Sequence, residues 1–164
     1  MKPAIATVDE HHAIGSLENI GLFLWRHETL APAVRAGEEM MRKLAKRYPQ
    51  GLGLVQVVEP TATAPSADTR KALADLLIAG KDSIKASTVI YETTGFKGAA
   101  MRSVVTTLNL LARPDFPHRV YSNTAEALEW QVELIPTVGQ PWQALDINMA
   151  IDELRAALDQ QFPS

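Results

Sequence analysis

Four short segments of the sequence carry apolar residues at odd and even positions alike. They are residues 20–25, 52–58, 87–91 and the shorter 119–121. A strand that is exposed on one face alternates apolar and polar residues, whereas an unbroken apolar run is typical of a strand covered on both faces. Strands of the second kind occur mostly in parallel sheets. We therefore expect these four segments to form a buried and largely parallel sheet.

Helical patterns separate the four strands. Apolar residues recur there every three or four positions, which predicts an amphipathic helix after each strand. Thr29, Ser66 and Asn123 belong to the residue types that cap helix N-termini, and each of them precedes one of these patterns. Gly80 and Pro114 follow the second and third patterns, where glycine and proline commonly end a helix.

A strand followed by a helix, repeated four times, predicts a sheet built by right-handed crossovers, with helices on both faces or on one face. The N-terminal stretch, around residues 5–8 or 12–17, can add one antiparallel edge strand. The predicted fold is therefore α/β, with a four-stranded mostly parallel sheet plus an antiparallel edge strand.

A further amphipathic helix is predicted at the C-terminus, where Asp146 can cap it after a turn rich in proline and glycine. The predicted organisation is an α/β domain over residues 1–134 and a linker with this extra helix over residues 135–164. The helix can dock on its own domain or on a neighbouring subunit. Trp142 lies just before it and is the side chain that we expect at a subunit contact, so self-association is predicted.

Composition excludes several classes of site. The chain has no cysteine, so disulfides, thiolate zinc sites, iron–sulfur clusters and a cysteine nucleophile are excluded. A net charge of −3 argues against a nucleic-acid partner, which would need a basic face. The sequence shows no secretion signal and no run of about 20 apolar residues that would span a membrane. We expect a soluble, cytoplasmic protein with no integral membrane segment.

Ligands of open α/β sheets usually bind where the carboxyl ends of the strands meet helix N-termini. The loop between the second strand and its helix is the most unusual connection there, because Pro60 and Pro65 make it stiff and exposed. The candidate residues for binding a partner or ligand all lie on this rim. They are Glu59, Thr61, Thr63, Ser66, Thr69, Glu92, Thr93, Thr94, Phe96 and Lys97.

Two chemical interpretations of this rim are considered and set aside. Glu59 and Glu92 with His27 could run acid–base chemistry or hold a metal, but the sequence offers them no third ligand, nucleophile or supporting residues. We expect no metal or catalytic cluster there. The turn at residues 93–98 lacks the glycine spacing of nucleotide-binding loops, so no cofactor is expected.

The order of these elements resembles the STAS domain family, the fold of anti-sigma-factor antagonists, and the related STAS/SEC14-like bacterial proteins. The resemblance covers residues 5–130 and depends on topology and on the runs VIYETTGF, from Val89, and NLLARP, from Asn109. It implies that a hydroxyl at the start of the second helix is phosphorylated by a partner kinase. The matching residue is Ser66, although the family's aspartate-serine-serine-glycine stretch is absent here.

Three functions follow from these features. The first is a non-enzymatic STAS-like regulatory or scaffold module that binds a protein partner through the rim, with Ser66 as a phosphorylation site. The alternative is a carrier of a small hydrophobic or lipid-like ligand, held by apolar side chains under the rim. An enzyme that uses Glu59, Glu92 and His27 is the third. A closed apolar pocket of several hundred cubic ångströms would favour the carrier over the binding module.

Overall fold

Six strands form one mixed sheet, and they lie in it in the order in which they occur along the chain. The computed structural model describes residues 2–92 and 95–163, with the backbone alone for residues 95–97. The elements in chain order are β1 Ala4–Val8, β2 His12–Leu17, β3 Ile20–Trp25, α1 Ala31–Arg47, β4 Leu52–Val58, α2 Ala67–Ala79, β5 Ile84–Tyr91, α3 Gly95–Ala112, β6 His118–Tyr121, α4 Thr124–Leu134 and α5 Ala144–Gln161.

The α/β class and the parallel part of the sheet are confirmed, because β3, β4, β5 and β6 pair in parallel. The antiparallel part is larger than predicted. β1, β2 and β3 form two consecutive antiparallel hairpins, so both alternative N-terminal segments are strands. The prediction of a single antiparallel edge strand is therefore wrong. β2 is almost wholly buried, although its sequence is short and contains histidine, glycine and serine.

Helices cover both faces of the sheet. α1, α2 and α3 pack on one face, into which Phe23 and Trp25 of β3 point, while α4 and α5 pack on the face that receives Leu22 and Leu24. Side chains alternate along a strand, so one strand supplies both cores. The crossovers from β3 to β6 all advance in the same direction across the sheet, and parallel crossovers nearly always share one hand, which accounts for three helices on the same face.

Two of the predicted helix caps are confirmed. The Oγ atom of Ser66 accepts a hydrogen bond from the backbone N–H of Thr69 at 3.2 Å, at the N-terminus of α2. The Oδ1 atom of Asn123 accepts one from the N–H of Glu126 at 3.1 Å, at the N-terminus of α4. Both side chains satisfy an amide that the first helical turn leaves without an intrahelical partner.

The other two predicted caps are wrong by one residue or more. Leu30 rather than Thr29 precedes α1, and it makes no side-chain cap, because Pro32 in the first turn favours the helical start there. α5 begins after Gln143, so Asp146 lies inside its first turn. The Oδ2 atom of Asp146 reaches back and accepts a hydrogen bond from the N–H of Gln143 at 3.2 Å.

The C-terminal helix packs on its own sheet. Ile147, Ile151 and Leu154 of α5 are buried in the core that this helix shares with α4 and the strands. Trp142 is 8% exposed, and its Nε1–H donates a hydrogen bond to Oδ1 of the buried Asn19 at 3.2 Å. Trp142 therefore lies in the interior of its own chain, and the expectation that it forms a subunit contact is wrong.

Candidate functional site

The rim of the sheet brings three charged residues side by side. Arg26, Glu59 and Glu92 directly follow β3, β4 and β5. The last residues of these strands are paired across the sheet, with Trp25 opposite Val58 and Val58 opposite Tyr91. Because parallel strands in this register end together, the next residue of each strand lies on one edge. The sequence predicted this rim for Glu59 and Glu92.

A network of ion pairs joins this edge to α5. Arg26 binds the Glu59 carboxylate through two nitrogen atoms of its guanidinium group. Its Nε lies 2.7 Å from Oε2, and its Nη2 lies 3.2 Å from Oε1. Arg155 of α5 donates to Glu59 Oε1 and lies 3.1 Å from Oε1 of Glu92. Asp159, one turn further along α5, accepts from Arg26 at 2.8 Å. Three strand ends and one helix therefore form a single electrostatic unit.

Burial makes this network unusual for a protein surface. The side chain of Glu59 is only 7% exposed and that of Arg26 is 13% exposed. Buried charges are costly unless they are paired, so each of these two groups needs the other. The hydrogen bonds that Arg26 donates to Glu59 raise the pKa of its guanidinium above the usual value, so it stays charged.

Sequence reasoning missed Arg155 and Asp159. They are far along the chain from Glu59 and belong to a helix that the sequence predicted as an appendage. Their spacing of four residues puts them on one side of α5, next to the apolar stripe of Leu154 and Leu158. A charged pair at that spacing beside a buried stripe is the signal that could have found them.

An open cleft of about 730 Å³ lies between the rim and the end of α5. Its walls combine the charged network with exposed residues of the strand ends, of the loop after β4 and of the C-terminal segment. They are Glu10, Arg26, His27, Glu59, Pro60, Thr61, Arg155, Asp159, Gln161, Phe162 and Pro163. This volume lies within the range of roughly 300–1,000 Å³ that is typical of ligand sites.

The proline-containing loop after β4 is fixed to the end of β3. Thr61 donates its hydroxyl to the carbonyl of Arg26, and the N–H of Thr63 donates to the carbonyl of His27 at 2.9 Å. Ala62, between them, is fully buried. Thr61 and Thr63 are exposed on either side of this anchor, so the loop offers both hydroxyl-bearing residues on a rigid backbone.

The start of α2 is a second, smaller concavity of about 230 Å³, lined in part by Glu28, Thr63, Ser66 and Thr69. Ser66 is exposed, whereas Thr69 is only 3% exposed and its hydroxyl lies 3.2 Å from Ser66 Oγ. Both residues were predicted for the site from their hydroxyl groups. Ser66 is open to solvent, whereas Thr69 is buried and contacts the Ser66 hydroxyl.

The second half of the predicted site is described only in part. Thr93 and Thr94 lie outside the described residues. Phe96 and Lys97 belong to the first turn of α3, for which the structure describes the backbone alone. Glu92 is exposed and is held by Arg155. The described part of the site therefore consists of the ends of β3, β4 and β5, the loop after β4, the start of α2 and part of α5.

His27 does not complete a metal site with the two glutamates. It lines the cleft, and its ring meets that of His11 edge to face, with centroids 6.1 Å apart. Within residues 2–92 and 95–163, no three or more histidine, aspartate or glutamate side chains are arranged to hold a metal ion. The Glu59 carboxylate faces two arginines instead.

The interior between α2, α3 and the sheet holds a small cavity of about 40 Å³. Its lining is mostly apolar, and Thr29, Gln56 and His118 are among the polar residues in it. Gln56 accepts from Trp25 Nε1 at 3.0 Å, and His118 Nδ1 lies 2.8 Å from Ser87 Oγ. The Nε2 atom of His118 is buried without a partner among the described residues, and burial lowers the pKa of this imidazole to about 4.

In comparison with known proteins, no protein-family model, no curated protein and no solved structure matches the chain. Among the helices that the structure describes, none is both long enough and apolar enough to cross a lipid bilayer.

Proposed function

We propose that the chain is a non-enzymatic, STAS-like regulatory or scaffold module that binds a protein partner at the cleft beside Glu59. The observation that carries this proposal is the position of the cleft, about 730 Å³ in volume, at the carboxyl ends of β3 and β4. Ligands of open α/β sheets bind preferentially at this edge. The cytoplasm is the compartment that we propose, because a chain without cysteine suits a reducing environment.

The dimensions of the interior support a surface interaction rather than a carrier. The cavity under the rim measures about 40 Å³, which is room for only a few water molecules. A lipid-like ligand needs several hundred cubic ångströms. The open cleft is large enough, but Arg26, Glu59, Arg155 and Asp159 also line it, and a wholly apolar ligand would cover these charges without pairing them.

The state of the two glutamates supports binding rather than acid–base catalysis. A general base needs a free oxygen that can reach the proton it removes. Both oxygens of Glu59 accept hydrogen bonds from arginine, and Arg155 also holds Glu92. These carboxylates hold the walls of the cleft in place.

The rigid loop after β4 gives the partner its contact surface. Thr61 is exposed and lines the cleft together with Pro60 and Phe162. A fixed loop loses little conformational freedom on binding, so a larger part of the contact energy remains as affinity. Half-exposed aromatic and proline side chains beside charged groups are typical of interface surfaces.

The test uses one substitution inside the cleft and a matched one outside it. Thr61→Arg places a long cationic side chain in the cleft mouth. Thr107→Arg makes the same change at an exposed position of α3 that does not line the cleft. Partners are recovered from a lysate of the source cell with each variant and identified by mass spectrometry. Equal melting temperatures show that both variants are folded.

We expect a partner that is recovered by the wild type and by Thr107→Arg and is lost with Thr61→Arg. Recovery of the same partner by all three proteins would place its contact elsewhere and contradict the cleft proposal. Failure of the wild type to retain any protein above a control bait would contradict the binding function itself.

A further inference from the structure

β1 and β6 form the two edges of the sheet among the described residues. Ala4, Ile5 and Ala6 are exposed along β1. None of its five residues, AIATV, is charged. Natural edge strands usually carry lysine, inward-pointing charges or proline, which discourage pairing with another chain. The absence of charge within β1 leaves its outer edge available to another strand.

We propose that the chain forms a symmetric dimer in which β1 of one copy pairs antiparallel with β1 of a second copy. The two-fold axis passes through Ala6, which lies opposite Ala6 of the other copy. This register places Ile5 opposite Thr7 and Ala4 opposite Val8 along the two backbones, so no charged residue lies inside the paired segment. A two-fold interface must be self-complementary, and this strand meets that condition.

Charge at the two ends of the strand favours a second copy over an unrelated strand. Lys2 precedes β1, and Asp9 and Glu10 follow it in the turn to β2. Antiparallel pairing across Ala6 brings Lys2 of each copy to the acidic turn of the other. The symmetric dimer therefore gains two equivalent cation–anion contacts, and a parallel arrangement would place like charges together.

A groove beside the strand gives the second copy further surface to cover. It has a volume of about 260 Å³ and lies between β1 and α5, lined by Lys2, Pro3, Ile5, Glu153, Ala156, Ala157 and Gln160. Ile5 is 47% exposed there. The small side chains of Ala156 and Ala157 let a neighbouring chain approach, and pairing at β1 removes Ile5 from water.

The expected association is weak. β1 has five residues, and a bulge at Ala6 interrupts its pairing with β2 between Ile5 and Thr7. Bulges twist an edge and shorten the ladder that a new strand can form. The interface is smaller than the roughly 1,600 Å² of a standard stable complex, so the dissociation constant should lie in the micromolar range.

An engineered cysteine tests the register directly. The chain has no cysteine, so a single Ala6→Cys substitution can form a disulfide only with a second copy. Residues opposite each other in antiparallel strands have Cα atoms about 4.5–5.5 Å apart, within the range that a disulfide spans. We expect Ala6→Cys to oxidise to a covalent dimer about tenfold faster than Thr107→Cys, an exposed control on α3.

Exchanging the charges at the two ends of β1 tests whether they stabilise the dimer. The dissociation constant of each variant is measured by analytical ultracentrifugation. Lys2→Glu and Glu10→Lys should each weaken the dimer, and the double variant should restore it, because its ends are again complementary. A wild-type chain that is monomeric at about 100 μM would overturn the dimer. Equal oxidation rates of Ala6→Cys and Thr107→Cys, or single charge variants that dimerise like the wild type, would overturn this pairing.

Discussion

Arg155 of α5 donates hydrogen bonds to both Glu59 and Glu92 and so connects the last helix to the ends of two neighbouring strands. Glu59 is the centre of the arrangement, because Arg26 binds the same carboxylate from the end of β3. Without α5, a nearly buried carboxylate and its arginine would be open to solvent. The cleft that we propose as the binding site therefore exists only when the C-terminal helix is docked.

Replacing Glu59 by glutamine should destabilise the fold by about 3 kcal/mol, because it leaves the nearly buried Arg26 without the carboxylate that compensates its charge. The free energy of unfolding is measured by urea denaturation. Asp159→Asn is the control: Asp159 contacts Arg26 too, but its side chain is 63% exposed, so the loss should be at most about 1 kcal/mol. Equal effects of the two variants would show that burial does not determine the strength of this network.

A second prediction concerns Asn19, which lies in the turn between β2 and β3. It is fully buried and contacts the loop before β4 and the linker before α5. Its Nδ2 donates to the carbonyls of Gly51 at 3.0 Å and Pro136 at 2.8 Å, and its Oδ1 accepts from Trp142. Asn19→Ala leaves all three partners unsatisfied and should cost about 3 kcal/mol of unfolding free energy. The variant is compared with the wild type by urea denaturation.

The matched control for Asn19 is Trp142→Phe. This variant keeps a large ring in the core but removes a single donor, so it should cost about 1–2 kcal/mol. A larger loss in Trp142→Phe than in Asn19→Ala would mean that packing of the indole, rather than the hydrogen bonds of Asn19, holds the linker before α5.

The third prediction is a loss of stability in mild acid that depends on His118. Burial lowers the pKa of this side chain to about 4 in the folded protein, against 6.5 for an unperturbed histidine. Between these values the unfolded chain binds a proton that the folded chain does not, so the free energy of unfolding falls as the pH falls from 6.5 to 4. The total loss from this residue is on the order of 3 kcal/mol.

His118→Asn isolates this effect, because asparagine can still bond to Ser87 but does not titrate. The difference in unfolding free energy between wild type and variant should shrink towards pH 4, since only the wild type loses stability through this group. His12 is also buried and has a lowered pKa, but it is present in both proteins and cancels. A difference that stays constant from pH 7 to pH 4 would refute the assignment to His118.

The sequence predicted the elements of the parallel sheet well because their signal is local. The apolar run of β4 is buried at every position, and Ser66 caps α2 as its residue type indicates. β5 is longer than predicted, because the exposed Lys85 interrupts its apolar pattern near the start. Capping preferences failed at α1, where Pro32 in the first turn decided the start of the helix.

The site was predictable only in part, because its main interactions join residues that are far apart in the sequence. Glu59 and Glu92 were found from their positions after apolar strands. Whether these two carboxylates face a metal, a substrate or an arginine depends on which helix covers them. No local pattern in the sequence indicates where α5 docks. Arg155 was not among the residues predicted for the site, so a catalytic carboxylate pair could not be distinguished from a structural ion network.

The last prediction concerns Ser66, where a helix cap and a proposed phosphorylation site fall on one residue. As a cap, its Oγ satisfies the N–H of Thr69, so Ser66→Ala should cost about 1 kcal/mol of stability whatever the protein binds. Ser66→Asp should keep the stability of the wild type, because aspartate also caps a helix and its charge is favourable at the N-terminus. Urea denaturation of the three proteins measures both effects.

A regulatory role for Ser66 requires an effect beyond stability. Ser66 is exposed at the start of α2, and the loop before it runs from the cleft at Thr61. Negative charge at Ser66 should therefore change the affinity of a partner that contacts this loop, in the same assay that compares Thr61→Arg with Thr107→Arg. We expect Ser66→Asp to differ from Ser66→Ala and from the wild type in partner recovery. Equal recovery by all three, with a loss of stability in the alanine variant alone, would make Ser66 a structural cap and exclude it as a switch.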